Sequence, residues 1–400
     1  MRSAVLVLAL SSLVLADGAR PKVRAITGFI DLDPKAYASQ IEDTVKFLNS
    51  AREAYRAAGF EVETIRIATQ PFPRYLGAMK RDDALAFLAR LQDLASTLHF
   101  SASIGPAMVE GRDDPAAVDL LIDVLSRMRF NASLVIAGED GVHWTAIHEA
   151  ARLVKTVSER SPRSQGNFNF AAIAMLAPHG PFYPGAYHLG GPRAFAVGLE
   201  SANVVQEVFA RDRDPRTAEK SLAAALAGYL REAEAVATRV AAGSGWTYAG
   251  IDPTPAPMGD VSIGGAIESF TGAPFGASGT MTAAAIITRA VQSAPVKRTG
   301  YSGLMVPVLE DNLLAKRWAE GTYTLDSLLA YSAVCAGGLD TVPLPGDVTS
   351  EQLARILGDV AMLAYKWHKP LAARLLPVAG KKAGDRTAFE GGVLVNTTIH

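Results

Sequence analysis

Residues 23–68 read VRAITGFIDLDPKAYASQIEDTVKFLNSAREAYRAAGFEVETIRIA and contain one complete strand–helix–strand unit. Residues 23–30 are mostly apolar, as in a buried strand, and residues 61–68 alternate with the period of a strand. Between them, apolar residues recur three or four positions apart, which is the spacing of one helix face. These residues are Ile41, Val45, Leu48, Ala51 and Tyr55. Two such strands joined by a helix are expected to lie parallel in one sheet.

The alternation of strand and helix continues outward from this unit. The pattern predicts further strands at residues 100–104, 131–137, 171–176 and 194–199, and further helices at 85–94, after Asp114, at 144–157 and at 217–241. Strict alternation is typical of a mostly parallel sheet with helices packed outside. No linker rich in Pro, Ser or charge divides the chain. We therefore predict an α/β fold that forms one domain over residues 19–400.

Composition restricts the class of protein. Hydrophobic residues make up 49% of the 400 residues, so the chain can bury a large core. Lys and Arg number 39 against 40 Asp and Glu, and this balance offers no overall field that would attract nucleic acid. The single cysteine, Cys335, excludes an intrachain disulfide and every cysteine-based metal cluster. The expected partner is a small molecule rather than nucleic acid or a membrane, and the sequence leaves homo-oligomerisation open.

The amino terminus has the pattern of a signal peptide. Arg2 precedes an apolar run at residues 4–16, and residues 14–16 or 16–18 give the small-x-small pattern of a cleavage site. We predict a signal peptide at residues 1–18 and therefore a periplasmic or secreted protein. A buried first element of a cytoplasmic protein is the alternative.

Four acidic residues are the candidate catalytic groups. Glu200 ends the strand at 194–199, where the carboxyl end of a strand in a parallel sheet carries ligands. Asp252 lies in a proline-rich loop that fixes its position, and Asp340 follows two glycines and precedes two prolines. Glu310 ends residues 301–310, which we interpret as an apolar strand. A helix cap at Glu200 and a turn at Asp252 are the structural alternatives.

Polar and cationic residues are the candidate substrate-binding groups. Residues 167–170 read as a strand, whose alternation places Asn167 and Asn169 on one face. The remaining candidates are His188, Arg374, Lys381 and Lys382, and the last three lie near glycines as an anion site requires. Capping asparagines, a structural histidine and a solvated basic surface are the alternatives.

A divalent cation is the only cofactor that the sequence suggests. The adjacent acids Glu310 and Asp311, with Asp340 and Asp347, offer the oxygen ligands of a hard cation. The same pair can divide into acid and base roles, and Asp311 is also placed to cap a helix at residues 312–320. Cys335 has no neighbouring base in the sequence, so we expect it to be buried and inert.

Eight stretches together resemble one known family. They are residues 23–27, 69–73, 103–106, 167–174, 250–252, 300–311, 335–347 and 369–385. The set is similar to the domain-of-unknown-function family 711 and spans nearly everything after residue 22. The resemblance implies a barrel related to the fold of pyruvate formate-lyase and the glycyl radical enzymes, with helices outside a mostly parallel sheet. It brings no established reaction.

The sequence departs from the glycyl radical pattern. Such enzymes carry an R-V-x-G-Y-type loop near the carboxyl terminus, whereas this chain ends GGVLVNTTIH at residues 391–400. We therefore expect a radical-free, exported enzyme that uses acid–base chemistry on a small polar, hydroxylated or carboxylated substrate. A hydrolase, such as a glycoside hydrolase, or a lyase fits these residues. A periplasmic binding or scaffold protein without turnover is the alternative.

Overall fold

The computed structural model describes residues 20–400, so the predicted signal peptide lies outside the described residues. The strands are β1 (Lys22–Ile30), β2 (Val62–Thr69), β3 (Ser101–Pro106), β4 (Asn131–Gly138), β5 (Gly141–Val142), β6 (Phe170–Ala174), β7 (Ala194–Glu200), β8 (Thr247–Asp252), β9 (Gly338–Pro345) and β10 (Leu371–Val378). The helices are α1 (Tyr37–Ala57), α2 (Pro73–Leu76), α3 (Arg81–Leu98), α4 (Ala117–Arg127), α5 (Trp144–Arg160), α6 (Ala202–Arg211), α7 (Ala218–Ala241), α8 (Ile263–Thr271), α9 (Thr280–Gln292), α10 (Asn312–Ala319), α11 (Leu325–Ser332) and α12 (Ser350–Trp367).

The strands form one mixed sheet in the order β8-β7-β1-β2-β3-β4-β6-β10-β9, and β5 pairs with the end of β4. Strands β1, β2, β3, β4 and β6 run parallel to one another. On either side of this group the direction reverses, because β7 pairs antiparallel with β1 and β10 pairs antiparallel with β6. The prediction of an α/β fold with a large, mostly parallel sheet is confirmed.

Helix α1 buries the face that the sequence predicts. Its buried residues are Ile41, Thr44, Val45, Leu48, Ala51 and Tyr55. All of these except Thr44 join the main core, together with the sheet residues that face the helices. The opposite sheet face packs in two smaller clusters around residues of the loop between β6 and β7, including Phe182, Ala186 and Tyr187. Among the described residues, no helix has the length and apolar character to cross a membrane.

The loop between β6 and β7 is fastened to that opposite face by hydrogen bonds. Thr27 Oγ1 donates to the carbonyl of Pro181 at 2.9 Å, and Ser103 Oγ donates to the carbonyl of Ala186 at 2.9 Å. Tyr183 Oη donates to the carbonyl of Ile67 at 2.6 Å. The loop therefore occupies part of the space in front of the sheet.

The interpretation of residues 301–310 as a strand is wrong. Ser302 has a left-handed backbone with φ 49°, and Pro307 has no N–H to donate, so a regular ladder cannot form there. The segment 298–311 makes single parallel bridges instead, from Arg298 to Ile251 of β8 and from Pro307 to Asp340 of β9. It thus contacts both edge strands of the sheet.

The strand expected at residues 167–170 is also wrong. A 3₁₀ segment, Pro162–Asn169, occupies this stretch, and β6 begins only at Phe170. Left-handed backbone at Arg163 and Ser164 starts the turn. Asn167 Nδ2 donates to the carbonyl of Val154 at 2.8 Å and ties the segment to α5. Asn167 and Asn169 therefore do not share a strand face.

Candidate functional site

A cavity of about 360 Å³ lies in front of the sheet, on the face turned away from the main helical core. Its walls include Arg24 of β1, Thr64 and Arg66 of β2, Ser101 of β3, Asn131 of β4, Asp340 of β9 and Arg374 of β10, together with Asn169, Tyr183 and Glu310. The four parallel strands β1 to β4 contribute residues at or near their amino ends. The loop between β6 and β7 and the segment 298–311 complete the walls.

Predicted acids and a predicted arginine meet at this cavity. The Arg374 guanidinium donates through Nε to Asp340 Oδ1 and through Nη2 to Glu310 Oε1. Arg24 Nη1 donates to Glu200 Oε2 at 2.7 Å, and Arg24 Nη2 donates to Glu310 Oε2 at 3.4 Å. Glu310 therefore lies between two arginines. The side chains of Glu200, Glu310 and Asp340 are all buried.

Glu200 reaches this cluster because β7 runs against β1. Its register pairs Glu200 with Lys22, so the carboxyl end of β7 meets the amino end of β1. The prediction that Glu200 lies at a strand's carboxyl end is confirmed. The parallel neighbour β8 also ends on this side of the sheet, whereas the antiparallel neighbour β1 begins there. Only this antiparallel pairing brings Glu200 within reach of Arg24.

Burial and the ion pairs shift the pKa values of the cluster in opposite directions. Burial raises the pKa of Asp340, and the nearby Arg374 only partly offsets this effect. Burial alone would lower the pKa of Arg374, but Asp340 and Glu310 outweigh burial and raise it. Burial and the neighbouring Glu200 raise the pKa of Glu63 at the cavity wall. The cavity thus holds carboxyl groups that take up a proton more readily than they would in water.

Sequence reasoning missed three charged residues of the cavity wall: Arg24, Glu63 and Arg66. The signal that could have found Arg66 is its place in β2 between Ile65 and Ile67, which join the main core. A charged residue between two core positions of a strand faces the other side of the sheet. Such a residue, on a sheet with both faces covered, faces either a cavity or a polar partner.

Asp252 and Asp311 stabilise loops around the cavity. The Asp252 carboxylate accepts hydrogen bonds from Thr254 and from the backbone N–H groups of Tyr301 and Ser302, at 2.7 and 3.1 Å for the last two. Burial raises the pKa of Asp252 to about 6. Asp311 accepts from the backbone at the start of α10 and from Ser262, so the helix cap expected at Asp311 is present. Neither residue belongs to the cavity wall.

The predicted substrate-binding residues divide between the cavity and other places. Asn169 lines the cavity beside Arg374, whereas Asn167 is buried against α5. His188 is buried outside the wall, and its Nδ1 lies 2.8 Å from His179 Nε2. Lys381 and Lys382 lie in a turn after β10 and are not part of the wall.

The four predicted metal ligands do not gather in one place. Glu310 and Asp340 both bind Arg374, Asp311 caps α10, and Asp347 is exposed in a turn. Within residues 20–400, no group of three or more His, Cys, Asp or Glu side chains is arranged to hold a metal ion. Cys335 is buried, and burial raises the pKa of its thiol.

Fold and site together define an α/β protein with a mostly parallel sheet and a cavity lined by paired acids and arginines. The chain belongs to the family described as Uncharacterised ACR (DUF711), whose family model matches residues 16–390. The family predicted from the sequence is therefore confirmed.

Relatives of this family come from archaea and bacteria and match most of the chain. A UPF0210 protein of Pyrobaculum arsenaticum is 31% identical over 393 residues, covering 91% of this chain and 86% of the relative. A UPF0210 protein of Desulforudis audaxviator is 31% identical, with 94% and 90% of the two chains covered. One from Methanopyrus kandleri is 29% identical, with 93% and 89% covered.

Proposed function

We propose that the protein is an exported enzyme that performs radical-free acid–base chemistry on a small polar substrate in the cavity, as a hydrolase or a lyase. The observation that carries this proposal is the convergence of Asp340 and Glu310 on one guanidinium group at the cavity wall. In many enzymes, a pair of carboxyl groups beside the substrate acts as general acid and general base.

Asp340 is the acid–base group of this proposal. Its pKa is raised, chiefly by burial, which brings it closer to the range where a carboxyl group both donates and accepts protons. Glu310 is the second carboxylate, and Arg374 holds the two in a fixed relation. Arg24 links Glu310 to Glu200 and so fixes the other side of the cluster. The acids are therefore positioned before a substrate binds.

We further propose that the sheet closes into a barrel of the pyruvate formate-lyase type. The bridges of segment 298–311 to β8 and to β9 support this proposal, because these two strands are the free edges of the sheet. The cavity lies in front of the sheet, as the interior of such a barrel would. An experimental structure that shows an open gap between β8 and β9 would contradict the closure.

The alternative is a periplasmic binding protein that uses the same cavity without turnover. Each of the three buried acids is already engaged by an arginine, as in sites where charge serves recognition. Asp340→Asn and Glu310→Gln separate the two functions, with Asp347→Asn as a control because Asp347 is exposed.

The experiment begins with a thermal-shift screen of sugars and organic acids, since a ligand that binds only the folded state raises its melting temperature. Ligands found in this way are incubated with each protein in D₂O and followed by NMR for product and for deuterium uptake. The wild type and Asp347→Asn should turn the ligand over, and Asp340→Asn should be slower by about 10²–10⁴-fold while still binding. Turnover by Asp340→Asn and by Glu310→Gln at the rate of the wild type would refute the acid–base roles of these two residues. Binding without turnover in the wild type would favour the binding protein.

Export is proposed from the amino-terminal sequence alone and has its own test. Amino-terminal sequencing of the protein isolated from its native cells should show a start after residue 16 or residue 18. An intact amino terminus in the cytoplasmic fraction would contradict export.

A further inference from the structure

Contacts with Thr64 and Tyr183 fix the Arg66 side chain at the cavity wall. Its Nε donates to Thr64 Oγ1 at 3.0 Å, and Thr64 Oγ1 in turn donates to the carbonyl of Arg24 at 2.8 Å. The Arg66 guanidinium carbon lies 4.9 Å from the centre of the Tyr183 ring. Tyr183 is itself fixed, because its hydroxyl bonds the carbonyls of Ile67 and Ser101. The two Nη groups of Arg66 make no hydrogen bond to any described residue.

Arg66 is also the cavity arginine without an acidic partner. Arg24 pairs with Glu200 and Glu310, and Arg374 pairs with Asp340 and Glu310. Among residues 20–400, no carboxylate lies within 4.0 Å of the Arg66 guanidinium nitrogens. Arg66 is only partly buried, and Glu310 and Glu63 attract it from beyond 4.0 Å, so its charge is incompletely balanced by the protein. Burial and the nearby Arg24 lower the pKa of Arg66 to about 10, so it remains a cation at neutral pH.

We propose that Arg66 binds the carboxylate of the substrate through its two free Nη groups and makes the protein selective for small carboxylic acids. This proposal rests on the function proposed above, because it names the substrate class for the same cavity. A guanidinium fork matches the two oxygens of a carboxylate, and the Thr64 and Tyr183 contacts leave that edge of the fork free.

The charge of the cavity favours a single carboxylate over a phosphate group. Four acids (Glu63, Glu200, Glu310 and Asp340) and three arginines (Arg24, Arg66 and Arg374) belong to the cluster, which leaves a small negative excess. A dianionic phosphate would add two more negative charges at close range, whereas a carboxylate adds one.

The rest of the wall indicates what else the acid carries. Asn169 lines the cavity, and its side-chain amide makes no hydrogen bond to another described residue, so this amide is available to a hydroxyl or carbonyl group. With a carboxylate on Arg66, the remainder of a small hydroxy or oxo acid lies in the cavity of about 360 Å³ that Asp340 also lines. Substrate binding and acid–base chemistry would then use different residues of one site.

The test compares matched acids and alcohols by thermal shift and titration calorimetry. The acids are glycerate, lactate and gluconate, and the alcohols are glycerol, propane-1,2-diol and glucitol, which carry CH₂OH in place of the carboxylate. Inorganic phosphate and glycerol phosphate are the phosphate probes, and sodium chloride equalises the ionic strength. We expect at least one acid to raise the melting temperature of the wild type, while its alcohol and both phosphate probes do not.

Arg66→Gln should weaken binding of that acid by about tenfold or more. The affinity of Arg66→Lys should lie between those of Arg66→Gln and the wild type, because lysine keeps the charge but lacks the forked guanidinium group. Lys381→Gln is the matched control, because it removes a cation outside the cavity wall and should bind like the wild type. Without ligand, Arg66→Gln should be about as stable as the wild type, because Arg66 is only partly buried and has no carboxylate within 4.0 Å.

Equal affinity in Arg66→Gln and the wild type overturns the inference, and so does a panel in which no acid binds better than its alcohol or in which phosphate binds best. Asp340→Asn distinguishes this failure from failure of the proposed function. If Asp340→Asn keeps the Arg66-dependent binding, the inference stands whether or not turnover is found. If Asp340-dependent turnover occurs with a ligand that Arg66→Gln binds normally, the proposed function stands and the inference fails.

Discussion

Replacement of Arg374 by methionine should destabilise the protein strongly at neutral pH. Methionine keeps most of the length of the side chain but removes the cation that binds both Asp340 and Glu310. Arg374 is 9% exposed, and Asp340 and Glu310 are 7% and 6% exposed, so water from the cavity can replace the lost contacts only in part. Removal of one partner from a buried ion pair costs about 3–5 kcal/mol. For a chain of this size, that loss corresponds to a fall in melting temperature of about 5 °C.

The loss should shrink at acidic pH, and the sign follows from the pKa of Asp340. This pKa is already raised in the folded protein, and without Arg374 it rises further. The folded state then binds a proton at a pH where the unfolded state does not, so stability increases as the pH falls towards the ordinary range of a carboxyl group. Unfolding by urea should therefore show a larger difference between Arg374→Met and the wild type at about pH 7.5 than at about pH 5.

Two further variants test whether the loss of charge causes the destabilisation of Arg374→Met. The triple variant Arg374→Met, Asp340→Asn, Glu310→Gln leaves no charge at these three positions and should recover part of the lost stability at neutral pH. Arg216→Met removes an exposed ion pair with Asp214 and should leave the melting temperature unchanged. A destabilisation of Arg374→Met that is equal at both pH values and is not recovered in the triple variant would refute the electrostatic reasoning.

Three further predictions concern contacts outside the Arg374 cluster. Asp252→Asn leaves a backbone N–H of segment 298–311 without an acceptor, so unfolding should become easier by about 1–3 kcal/mol and amide hydrogen exchange at residues 299–303 should speed up; unchanged exchange would contradict this role. Gly300→Ala would place a methyl group 2.2 Å from the Asp252 carboxylate, at a left-handed φ of 66°. It should lower the free energy of unfolding far more than Gly391→Ala, because Gly391 has a φ of 93° but open space around it. Equal losses in the two variants would show that only the backbone strain matters. Burial, with His188 and Lys297, lowers the pKa of His179 to about 4. As the pH falls below about 6.5, the unfolded state therefore binds the proton first, and the folded state loses stability between about pH 6.5 and 4. Denaturation curves of His179→Phe should show a weaker pH dependence over this range, and an unchanged dependence would show that His179 is not its source.

The elements of the amino-terminal half could be predicted because their local patterns agree with their burial. The helix face at Ile41, Val45 and Leu48 is buried, and β2 and β7 lie within a residue of their expected bounds. The direction of β7 could not be predicted in this way. Its antiparallel pairing with β1 joins residues more than 160 positions apart, and no local pattern encodes a choice made at that distance.

The candidate acids were predictable, whereas two arginines of their site were not. Asp340 lies between two glycines and two prolines, which indicate a backbone of fixed conformation. Glu310 is predicted as the end of a strand over residues 301–310 that the structure does not contain. Arg24 lies inside a mostly apolar strand that gives no sign of a partner, and Arg66 is marked only by its position between two core isoleucines of β2. Pattern reasoning failed at Asn167 for a related reason: its apolar–polar alternation is genuine, but the hydrogen bond to Val154 of α5 is a tertiary contact that overrides it.

The charged cluster depends on the completion of the whole sheet. Arg24 comes from β1, Glu200 from β7, Glu310 from segment 298–311 and Arg374 from β10, so no part of the chain holds the site by itself. The pairing of β10 with β6 ends at Ala373, one residue before Arg374, while β10 remains paired with β9 as far as Val378. The bonds of Arg374 to Asp340 and Glu310 add a side-chain link to β9 and to segment 298–311. The bonds that position the acids therefore also help to fix the last strand and the segment that meets both sheet edges. A site built in this way has its acids aligned before a substrate enters, which is the condition under which fixed charges assist a reaction most.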